Sequence, residues 1–98
     1  MKTLEEIKAV LDQHRQVLRE QYGLQELAIF GSYARGEQSL RSDVDILVWV
    51  RRPIGLKFFE LWDYLEEILG LQVDLLTPEA LQRKPTSWKN IQEELVHV

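Results

Sequence analysis

The sequence predicts an α/β sandwich with a small mixed sheet of about three strands. Three observations carry that prediction. First, Leu27–Phe30, Val44–Val50 and Gln72–Thr77 read as short strands, the second of them rich in β-branched and aromatic residues. Second, two longer stretches, up to Tyr22 and from Leu56 to Leu69, place apolar residues at helical spacing. Third, the order α-β-α-β-α-β-α-α alternates the two patterns, as layered α/β folds do.

Each element has its own signal. Thr3 caps the first helix, and Glu5 and Glu6 sit in its first turn, where the dipole favours negative charge. Leu4, Ile7, Val10, Leu11, Val17 and Leu18 form one apolar stripe, which reads as a single helix stopped by Gly23. The first strand ends at Gly31, and Ser32 to about Glu37 reads as a short helix. The second strand leads through the loop RRPIG to a helix whose apolar face carries Phe58, Leu61, Trp62, Leu65, Ile68 and Leu69. Gly70 ends that helix. The third strand follows, then a helix opened by Thr77 or Pro78 and a last one opened by Ser87 or Trp88. Pro53 and Pro85 read as turn punctuation. A full helix between strands two and three suits a parallel crossover; the first connection allows either direction.

Composition narrows the class. A chain of 98 residues fits one domain, 1–98, able to bury roughly two-thirds of its unfolded surface. With no cysteine, disulfides and thiolate metal sites are excluded. The first residues form a charged amphipathic pattern without a signal-peptide core, and no apolar run approaches the ~20 residues of a membrane span. A cytoplasmic protein without membrane contact is the expectation. A net charge of −4 argues against a general grip on nucleic acid, whose phosphates demand a basic face.

The chemistry concentrates in GSYARGEQSLRSDVDILV, Gly31 to Val48. Side chains alternate across a strand, so Asp43 and Asp45 point to one face. Two adjacent carboxylates repel, and burial raises the cost, unless a cation sits between them. Hard oxygen ligands of this kind suit Mg²⁺, often shared with substrate phosphates. Asp74, near the start of strand three, joins them at the same sheet edge if strands two and three are parallel neighbours. Three carboxylates there can serve in-line displacement at phosphorus with two metals. Gly31 lets a ligand approach the backbone, and Ser32 adds a hydroxyl donor at a helix start. If strand one is antiparallel to strand two, these residues reach the end that holds Asp43. Taken singly, each feature is commonly plain turn chemistry; their combination points to function.

The same residues resemble the DNA polymerase β-like nucleotidyltransferase superfamily, and within it the minimal nucleotidyltransferases paired with HEPN-domain partners. The signature of that family is G-S, ten residues, then D-x-D. Here Gly31-Ser32 is followed by Tyr33 to Ser42 and then Asp43-Val44-Asp45. VDLL at Val73 to Leu76 matches the strand bearing the third carboxylate. The resemblance covers nearly the whole chain. It implies the polymerase β-like fold, ATP as substrate and Mg²⁺ as cofactor. It implies that Gly31 and Ser32 hold phosphates, that Asp43, Asp45 and Asp74 bind metal, and that Asp74 assists deprotonation of an acceptor hydroxyl. Arg35, in the family's ARG element, has two readings: a contact to phosphate or partner, or a salt bridge that fixes the loop. Larger members of the superfamily append a domain that grips the acceptor, and at this length none is expected here, so the acceptor the resemblance implies is a separate protein. The resemblance makes it a HEPN ribonuclease toxin, modified with AMP at a tyrosine, with this chain as antitoxin. The runner-up readings are an antitoxin that only covers its toxin, and a small-molecule nucleotidyltransferase of the aminoglycoside type.

Other polar and aromatic residues read as structure. Asp63, Glu66 and Glu67 form a solvated helix face, and Trp62 belongs to the core. His14 and His97 lack metal-ligand spacing and read as surface residues. Trp49 is core or interface. Arg51 and Arg52 read first as a solvated turn and second as a surface for an acidic partner.

Overall fold

In the computed structural model, which describes residues 2–83 and 85–98, the strands lie in the order β3-β2-β1-β4. The elements are α1 (Leu4–Gln13), α2 (Arg15–Tyr22), β1 (Leu24–Phe30), α3 (Ser32–Arg35), β2 (Val44–Val50), α4 (Lys57–Leu69), β3 (Val73–Leu76), α5 (Pro78–Gln82), α6 (Pro85–Glu94) and β4 (Val96–His97). β1 runs antiparallel to β2 and to β4, while β2 and β3 are parallel. The sheet is mixed, as predicted, but has a fourth strand. β4 is two residues long and carries no pattern of its own, so only its pairing with Ala28 and Ile29 defines it.

The core lies on one face of the sheet. Leu27 and Ile29 of β1, Val44, Ile46 and Val48 of β2, and Val73 and Leu75 of β3 are buried against Ile7, Leu11, Leu18, Leu61, Leu65 and Leu69. These last six come from the apolar stripes of α1, α2 and α4. On the other face, α5 packs against β2, and Ala28, Phe30 and Leu47 are buried.

Two helix boundaries differ from the sequence prediction. The N-terminal stripe is two helices broken at His14, which leaves helical geometry and whose Nδ1 shares a 2.7 Å hydrogen bond with Tyr64 Oη of α4. Periodicity cannot see this break, because Ile7, Leu11 and Leu18 reach the same core across it. His14 is accordingly half-buried rather than a surface residue. The last helix starts at Pro85, where the missing N–H of proline costs nothing, so Pro85 opens an element rather than punctuating a turn. At the start of α1 the predicted cap is present as a full capping box: Thr3 accepts from the Glu6 N–H and Glu6 accepts from the Thr3 N–H. No helix among the described residues is long and apolar enough to cross a membrane.

Candidate active site

Strand directions bring the predicted residues to one end of the sheet. Phe30 of β1 is the register partner of Asp45, and Asp45 is the partner of Asp74. That row ends β1 and begins β2 and β3. Register partners present their side chains to the same face, so Asp45 and Asp74 stand side by side. Their neighbours Val44, Ile46, Val73 and Leu75 turn to the opposite face and anchor both strands in the core. Asp43 lies just outside β2 and is exposed, while Asp45 and Asp74 are half-buried.

The chain leaves β1 at Gly31, with φ +76° and ψ −152°, a backbone conformation closed to side-chain-bearing residues. A Cβ here would collide with Asp45 Oδ2 and stand 3.0 Å from Asp45 Cγ. The glycine is therefore required by close approach, but the group approached is the Asp45 carboxylate. Ser32 then begins α3, whose first intrahelical bond is donated by the Arg35 N–H to the Gly31 carbonyl. The earlier N–H groups of this turn have no partner within the helix.

Charge is out of balance at this end. Burial pushes the Asp45 carboxyl up from 3.8 to about 6, and repulsion from Asp74, Asp43 and Glu94 adds to the rise, with Arg35 opposing it. A surplus of carboxylate oxygens that resists ionisation is the donor set a hard divalent cation satisfies. Among the described residues, no three His, Cys, Asp or Glu side chains already converge as a closed metal cage. Asp43, on the exposed approach to β2, would have to join Asp45 and Asp74 as a ligand.

The shift makes a stability prediction. Between the ordinary carboxylate pKa and about 6, the folded state holds a proton on Asp45 that the unfolded state releases. Stability of the metal-free protein therefore falls as pH rises through this window. In the presence of a chelator, Asp45→Asn is expected to melt higher than the native protein at pH 7.5, with the gap closing by about pH 4. A constant gap across that range, followed by scanning calorimetry, would contradict the assignment.

Two residues complete the picture. Arg35 is ion-paired, its Nε to Glu37 at 3.1 Å and its Nη1 to Glu94 at 2.9 Å, in keeping with the loop-fixing reading. Glu94 was absent from the sequence prediction. Its Oε1 accepts a 2.9 Å hydrogen bond from the Gly31 N–H across 63 positions of sequence. No local spacing marks such a residue. Trp62 packs on the core, donates to the Val73 carbonyl at 2.7 Å and lines a cavity together with Asp43, whereas Trp49 stacks on the exposed His97 away from this site.

Comparison with known proteins identifies the family and matches the fold. The sequence profile of the nucleotidyltransferase domain family matches residues 11–98. The chain is 48% identical to protein adenylyltransferase MntA of Thermococcus cleftensis, covering 100% of this chain and 98% of that protein. A solved structure provisionally described as a minimal nucleotidyltransferase superposes with a TM-score of 0.79 at 28% identity, over 97% of this chain and 95% of the other. A toxin–antitoxin crystal structure with AMP-PNP gives a TM-score of 0.58 at 31% identity, over 69% of this chain and 56% of the other. With the family profile matched across most of its length and a relative 48% identical over the whole chain, the chain belongs to the nucleotidyltransferase domain family and is a nucleotidyltransferase.

Proposed function

We propose that this protein transfers AMP from ATP to a hydroxyl of a cognate HEPN-domain ribonuclease toxin, a tyrosine hydroxyl in the reading preferred here, and so acts as its antitoxin. The observation that carries the proposal is the Asp45–Asp74 row with the Gly31 turn packed on Asp45. Support comes from a relative named a protein adenylyltransferase and from a structural neighbour that is a toxin–antitoxin assembly with an ATP analogue.

Roles follow from position. The Gly31–Ser32 turn receives the phosphates of ATP. Asp43, Asp45 and Asp74 would hold Mg²⁺, whose contribution when bound is positive charge at the reacting phosphate. The acceptor oxygen attacks the α-phosphorus, the bond from that phosphorus to the bridging oxygen breaks, and pyrophosphate leaves. The acceptor proton passes to Asp74, which lies at the same strand end as Asp45.

The test incubates an excess of toxin with this protein, ATP and Mg²⁺, then reads intact mass and residual ribonuclease activity. The expected result is substoichiometric protection, with the toxin gaining about 329 Da per adenylyl unit, the mass added by displacement at the α-phosphate. Protection that needs equal amounts and no ATP would mean that the protein neutralises its partner by covering it.

A further inference from the structure

The Glu94 contact continues the sheet. β4 pairs with β1 through Ile29↔Val96, and the Val98 N–H donates to the Leu27 carbonyl at 3.0 Å. One more hydrogen-bonded step along that ladder sets Gly31 opposite Glu94. Glu94 is the last residue of α6, so its backbone follows the helix there. Its side chain supplies the acceptor instead: Oε1 takes the Gly31 N–H and Oε2 takes Arg35 Nη1, each at 2.9 Å. The Glu94 side chain is only 26% exposed. One carboxylate thus ties both ends of the Gly31–Arg35 turn to α6.

We propose that Glu94 is a positioning residue for nucleotide binding, holding the Gly31 turn against Asp45 so that the phosphate seat and the carboxylates keep one fixed separation. The proposal rests on the nucleotide reading above. Gly31 has the widest conformational freedom of any residue type, and the hydrogen bond from its N–H removes that freedom at the point where β1 ends. The Arg35–Glu94 pair fixes the far end of the same turn and leaves Arg35 a second partner in Glu37. Preorganisation of this kind improves binding by lowering the cost of ordering the loop.

Reach and charge can be separated by substitution. Glu94→Gln keeps an acceptor oxygen at the same reach and loses the charge. Glu94→Asp keeps the charge and falls one methylene short. Glu94→Ala loses both. Two readouts are taken on each: affinity for Mg²⁺·AMP-PNP by calorimetry, and hydrogen exchange at the Gly31 amide by NMR. Positioning predicts that Glu94→Gln, which keeps an acceptor for the Gly31 N–H but loses the Arg35 ion pair, binds only a few-fold more weakly than native, while Glu94→Asp and Glu94→Ala, which lose the Gly31 bond, bind about tenfold more weakly. The Gly31 amide should stay protected in the native chain and in Glu94→Gln, and exchange fast in the other two. Should Glu94→Ala fail to fold, the Gln and Asp variants alone decide. Native-like binding by Glu94→Asp with Glu94→Gln matching Glu94→Ala would show a charge effect and overturn the proposal. Native-like binding by all three would overturn it as well. A native chain that fails to bind Mg²⁺·AMP-PNP overturns the nucleotide reading and the proposal with it. The exchange pattern distinguishes that outcome, because it persists when only the nucleotide reading is wrong.

Discussion

Asp45→Asn is expected to lower AMP transfer by roughly two to three orders of magnitude, the loss typical when one electrostatic element of a transition-state site is removed. Asn is nearly isosteric but neutral, so it can neither neutralise a bound cation nor contribute to its hold. The fold should survive, because relief of repulsion from Asp74, Asp43 and Glu94 favours it. Asp43→Asn should show the same loss of transfer with less effect on stability, since Asp43 is exposed. Both variants should still bind the toxin if the partner surface lies away from the carboxylates. Toxin carrying the full adenylyl mass after incubation with either variant, in the assay given above, would remove these aspartates from the catalytic assignment.

The second large effect is at Gly31. Gly31→Ala should cost roughly 2–3 kcal/mol of stability, combining the strain of a glycine-only backbone conformation, ~1–3 kcal/mol, with the encounter at Asp45. For a domain of this size that lowers the melting temperature by about 10 °C or more. Gly23 provides the control. It has φ +68° at the end of α2, and a Cβ there meets nothing within 4 Å, so Gly23→Ala pays only the backbone penalty. The excess loss at Gly31 over Gly23 combines the contact with Asp45 and the more restrictive backbone conformation of Gly31. Transfer should also fall to the level of Asp45→Asn, because an alanine forces the carboxylate to turn away even where the fold holds. Ser32→Ala, which loses one neutral hydrogen bond worth ~1 kcal/mol, should be milder. Equal melting points for Gly31→Ala and Gly23→Ala, or native-like transfer by Gly31→Ala, would show that the close approach has no consequence.

What was legible in the sequence was whatever is encoded locally. The apolar runs at Leu27–Phe30 and Val44–Val50 are strands because their short, continuous apolar character and branched or aromatic side chains mark them at short range. The aspartates of β2 and β3 were found because a carboxylate inside such a run conflicts with its surroundings. The Thr3 and Thr77 caps and the Gly23 and Gly70 stops were readable for the same reason. What was missed depends on tertiary contact. β4 exists only because β1 offers an edge, and the His14 break only because Tyr64 of α4 receives the ring. Glu94 looks like any helix-terminal glutamate until the sheet brings Gly31 to it. Arg35 kept two readings because its partners include one neighbour, Glu37, and one residue 59 positions away.

The bond between Gly31 and Glu94 also bears on the order in which the molecule assembles. β1, α3 and β2 are close in sequence and can pair early, at small loop-closure cost. The clamp on Gly31 needs α6 and β4 in place and closes a contact across 63 positions of sequence, at a higher loop-closure cost. In the native state the same ribbon, joined to the sheet by a two-residue strand, is suited to opening as a local unit without global unfolding. Any ligand that binds only the closed turn would draw free energy into that ribbon and slow its opening. Opening of the α6–β4 ribbon would therefore release the Gly31 turn while the strands that carry the aspartates stay paired.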